Sequence, residues 1–202
     1  FRNSNGNRNL GNCIMSELKV DKVSPRTGNY IALNTVGMKN IIINGDMSIA
    51  QRGTSESGIT SAGYHTIDRF RNNIDTAGTW TASQSTDVPT GQGFAYSMKL
   101  DCTTANTSLS AGSKFSIQQK IEGQNLQYLK KGTSNAESLT ASFWVKSNKT
   151  GTYVCELFDE DNARQISKTY TIDTANTWEK KIITYAGDTS GIELLYNILT
   201  SV

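Results

Sequence analysis

Apolar side chains recur at every second position in one segment after another, and this period constrains the fold more than any other feature of the chain. In GFAYSMKLDC, Phe94, Tyr96, Met98, Leu100 and Cys102 share one face of an extended backbone, with Ala95, Ser97, Lys99 and Asp101 on the other. KFSIQQKIEG sets Phe115, Ile117 and Ile121 against Ser116, Gln118 and Lys120. SLTASFWVKS sets Leu139, Ala141, Phe143 and Val145 against Thr140, Ser142, Trp144 and Lys146. TYVCELFDE, SKTYTID and TWEKKIITYAGD continue the series. Successive strand residues point to opposite sides of a sheet, so this pattern specifies strands with one packed face and one wet face. Ser147 to Gly151 has the length and the glycine of a hairpin connection. GQNLQYLKKGT reads as a single helical turn ending at Gly132. No crossover helices separate the strands, which excludes an all-parallel α/β fold. Short antiparallel strands between Gly, Asn, Asp and Ser turns predict an all-β jelly-roll β-sandwich in preference to an immunoglobulin-like order.

Composition agrees with a wet-faced β protein. Hydrophobic residues make up 36% of the 202 positions and charged residues 19%, and the balance falls to Ser, Thr, Asn, Gln and Gly, which suit strands and turns. Only 2 prolines occur, too few for a proline-rich linker. The formal charge of +2 arises from 20 basic and 18 acidic residues with no run of like sign, so nucleic acid is not an expected partner. Cys13, Cys102 and Cys155 are too far apart for a CxxC metal site, and Cys102 and Cys155 are expected as buried free thiols. No apolar run reaches the roughly 20 residues that would span a bilayer, so no membrane insertion is expected. The opening at Phe1 lacks a charged-then-apolar signal and reads as a soluble fragment or mature piece.

The chain divides by composition into two parts. Residues 1–39 form an N-terminal lead-in and collar-like β segment. Within it FRNSNGNRNLGNCI has little to bury, and the stretch from Met15 to Leu33 reads as two short strands about the turn Pro25 to Gly28. Two such strands are not stable alone in water, and identical copies of the chain are the simplest partner. Residues 40–202 form the sandwich, preceded by this short extended segment.

Two adjoining patterns carry more specific information. NIIINGDMSIAQRGT supplies Asn40, Asn44, Gly45, Asp46, Gln51, Arg52, Gly53 and Thr54, and GYHTIDRF supplies Gly63, Tyr64, Asp68, Arg69 and Phe70. With FSIQQKIEG, LTASFWVKSNKTGTY and NTWEKKIITYAGDTSG, these resemble a family of phage tail-fibre and related virion proteins that carry a carbohydrate-binding-module-like jelly roll. The matches span roughly residues 40–191. SELKVDKVSPRTGNYIAL looks like the collar that precedes such domains in tail fibres of phages from aquatic bacteria. The resemblance implies that Ile41 to Ile49 form the first sandwich strand. It also implies a virion structural protein, in a tail or capsid appendage assembled in the host cytoplasm, that is a homotrimer, contacts other virion proteins and attaches to a bacterial surface glycan. The alternative is an architectural spacer or decoration without glycan binding. In two places the chain departs from the family. The family continues past GDTSG through further strands, whereas here GIELLYNILTSV runs to Val202. Related modules often hold a structural calcium through a Glu near the NGD turn; Ser48 stands at that place, and no cofactor is expected.

Among individual residues, Arg52 and Arg69 offer planar forks that match carboxylates, and Asp46 and Asp68 lie near in sequence. They fit either a network that pins the domain entrance to its core or direct contact with a ligand. Sugar binding needs an aromatic face beside amide, carboxylate and guanidinium groups. The candidate ligand-binding set is Trp144, Tyr64, Trp80, Arg52, Arg69 and Asp68, with Trp178 and Tyr153 as further aromatics. Trp144 falls opposite the packed face of its strand, where it meets either a covering layer, a neighbouring subunit or a sugar. Trp178 is expected as an edge-of-core anchor. His65, the sole histidine, is expected at the surface and has no Ser, Cys or carboxylate at interpretable spacing for catalysis. Asp159 to Asn162 lacks the spacing of a calcium loop and reads as a solvated hairpin tip. No nucleotide-binding glycine loop and no catalytic constellation is present, so an enzyme is not expected.

Overall fold

A computed structural model describes residues 40–190 and the backbone of residues 195–201. Cys13, the lead-in and the collar-like segment lie outside these described residues. Nine strands occur among them: β1 (Ser55–Gly63), β2 (Phe70–Ser85), β3 (Ser97–Thr104), β4 (Lys114–Glu122), β5 (Leu139–Val145), β6 (Gly151–Asp159), β7 (Arg164–Ile172), β8 (Glu179–Tyr185) and β9 (Leu195–Ser201). Every pairing is antiparallel. One sheet has seven strands in the order β1-β2-β4-β9-β6-β7, with β3 also on β2, and the other is the pair β5-β8. The architecture is an all-β jelly-roll sandwich.

The main core lies between β5-β8 and the β4-β6-β7 part of the large sheet. Leu139, Ala141, Phe143 and Val145 of β5 pack on Tyr153, Cys155 and Leu157 of β6 and on Tyr170 and Ile172 of β7, joined by Ile183 and Tyr185 of β8. The alternation in β5, β6 and β8 is therefore the core itself. A second, smaller cluster of Ile59, Ile74 and Ala82 packs with Trp80, Leu100 and Phe115. β2, 16 residues long, belongs to this smaller cluster and reaches two further strands. Its first half, Phe70 to Asp75, pairs with β4 and its second half, Thr79 to Ser85, with β3. The break between them is made by Thr76 and Gly78, whose φ values of 51° and 94° lie in the left-handed region. A Cβ on Gly78 would stand 2.4 Å from the Thr104 carbonyl oxygen, so only glycine allows β3 this close.

Several sequence expectations are corrected. Ser147 to Gly151 is not a hairpin: β5 and β6 belong to opposite sheets, and the loop crosses between them because both strands present their apolar faces to the same core. It is held there by the Tyr153 hydroxyl, which donates to the Lys149 carbonyl at 2.9 Å, and by the Asn176 N–H, which donates to the Ser147 carbonyl at 2.7 Å. The helical turn is two 3-10 turns, Gly123–Asn125 and Gln127–Leu129, and it ends at Lys130, whose φ is 49°. Cys155 is buried, as expected, but Cys102 is exposed, because β3 pairs only with β2 and its far end carries no covering layer. In β4 the polar face is not wet: Ser116 and Gln118 are buried on it, while Gln119 is buried beside Ile121 on the other face. Asp159 to Asn162 does form the β6-β7 tip, with Asp159 itself buried and accepting from the Asn162 backbone and side-chain N–H groups at 3.2 and 2.8 Å.

Candidate functional site

The segment IIINGDMSIAQRGT builds one wall of the site, and it is not a strand. Asn44 and Met47 both have φ of 58°, a left-handed conformation that Asn tolerates and a regular strand forbids. The Asn44 side chain then acts as a substitute backbone. Its Oδ1 accepts from the Ile49 N–H, and its Nδ2 donates to the carbonyls of Ile49 and Asp68, each at 2.9 Å. Gln119, buried on β4, accepts from the Ile43 N–H and donates to the Ile43 carbonyl, both at 2.8 Å. Gln84 of β2 donates to the Met47 carbonyl at 2.7 Å. Side-chain amides therefore satisfy polar groups that a strand would pair with a neighbouring backbone. This corrects the expected first strand over Ile41 to Ile49; β1 at Ser55 is the first strand described.

The clasp has a functional consequence, because it sets residues 49–52 against Asp68. The Asp68 N–H donates to the Ile49 carbonyl at 3.0 Å. The Asp68 carboxylate accepts from the Gln51 N–H at 3.1 Å and from Arg52 Nη1 at 2.6 Å. Arg52 lies over the Tyr64 ring at 5.8 Å from its centroid. Tyr64, 41% exposed, precedes the turn that leads through Asp68 and Arg69 into β2. Gln51, Arg52, Tyr64, Asp68 and Arg69 line an open groove of 660 Å³, closed on the far side by Lys120 and Glu122 at the end of β4. Lys120 pairs with Glu160 at 2.6 Å, and Glu122 accepts from Gln124 at 2.7 Å. Arg69 is exposed, has φ of 74°, and makes no ion pair or side-chain hydrogen bond with another described residue.

Of the six candidate ligand-binding residues, the fold brings four together: Arg52, Tyr64, Asp68 and Arg69 share the groove. Trp80 lies elsewhere, half-buried and stacked on Phe115 with ring centroids 3.8 Å apart, its indole N–H on the Ala77 carbonyl. Trp144 is half-buried on the side of β5 away from the core, in register with Lys180 of β8. Tyr153 is buried and offers no face to a ligand. Asp46 accepts from the Ser48 hydroxyl, not from an arginine. Trp178, expected as an edge-of-core anchor, is half-buried outside both core clusters and donates its indole N–H to Asp87 at 2.9 Å. His65 is not at the surface: its side chain is 13% exposed and Nδ1 lies 2.8 Å from the Glu56 carboxylate. The turn before β2 folds it back over Gly63, where a Cβ would sit 2.9 Å from its Nε2. Among the described residues no group of three or more His, Cys, Asp or Glu could hold a metal ion. Sequence reasoning missed Gln119 and Asn44 as the clasp, and Lys120 and Glu122 as groove residues. The period of β4 does put Lys120 and Glu122 on one face, but periodicity alone does not say which strand lies beside Asp68.

No protein-family model and no curated protein matches the chain. Among solved structures, it is similar to the enzymatically active domain of tailspike protein 4 of bacteriophage CBA120, at 15% identity and a TM-score of 0.47, over 81% of this chain and 19% of that one. A CBM4 structure is similar at 14% identity and a TM-score of 0.36, over 78% of this chain and 71% of that one. The CBM22-1–GH10 modules of endo-1,4-beta-D-xylanase 10B of Clostridium thermocellum, complexed with xylohexaose, are similar at 14% identity and a TM-score of 0.39, over 72% of this chain and 26% of that one. The chain thus spans about a fifth of the tailspike structure and about a quarter of the xylanase structure.

Proposed function

We propose that the protein is a virion structural component, part of a tail fibre or similar appendage, whose sandwich attaches to a polysaccharide on a bacterial surface. The observation that carries this reading is the groove in which the exposed Tyr64 ring lies beside Arg52, Asp68 and Gln51. A pyranose has apolar C–H faces that lie on an aromatic ring and hydroxyls that take charged and amide partners, and the groove presents both kinds of surface together. The virion setting draws on the tail-fibre-like sequence patterns around Asn40 to Thr54 and Gly63 to Phe70. In a trimer, three shallow grooves would act together, so weak single contacts would give strong attachment through effective concentration. The protein acts by binding, without turnover.

Affinity electrophoresis of the full chain through gels containing bacterial surface polysaccharides tests the proposal. Tyr64→Ala is expected to lose retardation by at least tenfold in affinity while keeping the wild-type melting temperature. Sedimentation at micromolar concentration is expected to give a trimer. Release of reducing ends from any retained polymer would replace binding with an enzymatic role.

A second reading has its own support. Both oxygens of Asp68 are already occupied, by the Gln51 N–H and Arg52, which is what a purely architectural pin requires. A wild-type chain that is retarded by no polysaccharide would favour a spacer or decoration domain.

A further inference from the structure

Resting on the glycan-binding reading of the groove, we propose that its ligand is an acidic polysaccharide, and that Arg69 receives the carboxylate of a uronic or sialic acid residue. The inference comes from how the charges in the groove are already spent. Arg52 is held by Asp68 at 2.6 Å, and Lys120 by Glu160 at 2.6 Å. Arg69 is the groove cation with no anionic partner among the described residues. It is also the groove cation whose position carries a conformational cost. Its φ of 74° is rare for a side chain as large as arginine and persists only where the surroundings impose it. Here they do: Asp68 before it is tied to Ile49 and Gln51, and Phe70 after it is buried at the start of β2. The turn therefore holds an exposed guanidinium beside Tyr64 instead of turning it toward an internal carboxylate.

A guanidinium fork matches a carboxylate with two parallel hydrogen bonds, and such charge-assisted pairs are about twice as strong as neutral ones. A ring carboxylate on a sugar stacked over Tyr64 is a planar anion of that kind. Glu122, which accepts from the neutral Gln124 amide, supplies an acceptor for sugar hydroxyls at the opposite wall. A neutral polyol would satisfy Tyr64, Gln51 and Glu122 but would leave the Arg69 charge with water alone.

The test compares acidic polymers with their carboxyl-reduced neutral counterparts. Alginate, polygalacturonate, hyaluronan and polysialic acid are run beside the reduced forms and beside neutral xylan and dextran, by affinity electrophoresis with the full chain. Arg69→Asn removes the charge with a residue that tolerates a left-handed φ, and Arg69→Lys keeps the charge but not the fork. Wild type is expected to bind at least one acidic polymer tenfold or more above its reduced form, and to weaken between 0.05 and 0.5 M salt, as ~14 Å to ~4 Å screening lengths dictate. Arg69→Asn is expected to lose that tenfold preference and Arg69→Lys to lose part of it, with melting temperatures unchanged. Equal binding of acidic and reduced polymers, or full acid preference in Arg69→Asn, overturns the inference and leaves glycan binding intact. Binding to none of the acidic or neutral polymers overturns the glycan-binding reading as well.

Discussion

The side-chain amide of Gln119 pairs with both backbone polar groups of Ile43, as a neighbouring strand would, at 2.8 Å for each bond. One residue of β4 thereby fixes the segment that leads to Arg52. Removing the amide breaks both of these part-buried bonds at once, and each is worth about 0.5–1.5 kcal/mol. Gln119→Leu is accordingly expected to lower unfolding free energy by about 2 kcal/mol, measured by urea denaturation. Hydrogen exchange at the Ile43 amide should accelerate in the same variant; unchanged protection there would refute the clasp.

Asp87 joins the β2-β3 loop to the small sheet. It accepts from Lys146 and from the Trp178 indole N–H, and these two bonds hold its carboxyl below the ordinary value. Glu179 is tied to Lys181 and to the backbone N–H groups of Thr174 and Asp173, which brings it down to about 2. For a carboxyl lowered in the folded state, the stabilisation is complete above its unfolded value and disappears as pH falls through the folded one. Melting temperature is therefore expected to fall steadily from near pH 4.5 toward pH 2, and less steeply in Glu179→Gln. A profile of identical slope in that variant would remove Glu179 from the account.

The two described cysteines should differ in reactivity. Cys102 is exposed, whereas Cys155 is buried and its thiol is pushed up by loss of solvation. A thiolate is the reacting form, so maleimide labelling of the native protein is expected at Cys102 and not at Cys155, with peptide mass mapping as the readout. Prompt labelling of Cys155 would mean that the sandwich opens readily.

Gly78 lets β3 leave β2 at the kink. Gly78→Ala puts a Cβ against the Thr104 carbonyl and a non-glycine residue at φ of 94°, which together should cost on the order of 1–3 kcal/mol. The loss is expected to concentrate in the β3 region, with faster amide exchange from Leu100 to Thr104 while β5 and β6 stay protected.

What the sequence discloses follows from where apolar period and burial coincide. β5, β6 and β8 are read correctly because Leu139, Phe143, Tyr153, Leu157, Ile183 and Tyr185 alternate and also pack into one core. β1 was not legible: in SESGITSAG only Ile59 is buried, and the strand is held by backbone pairing to β2 instead. The Ile41-Ile42-Ile43 run suggested a strand, yet Asn44 and Gln119 outcompete a ladder through local and long-range amide bonds whose spacing no period records. In the groove, Arg52 and Asp68 were legible as candidate partners because they lie in adjoining patterns, though the sequence did not separate Asp68 from Asp46 as the acceptor. Lys120 and Glu122 were not, since they arrive from a strand more than 50 residues later.

β9 lies between β4 and β6, although it follows them both in the chain. Ser116 to Glu122 on one side and Val154 to Asp159 on the other are linked within the large sheet only through it. Until β9 has been made nothing can bridge the two halves of this sheet, and each would present an unpaired inner edge of the kind that invites pairing with another chain. The wall that carries Lys120 and Glu122 is not stitched to its other half until residue 201 has left the ribosome.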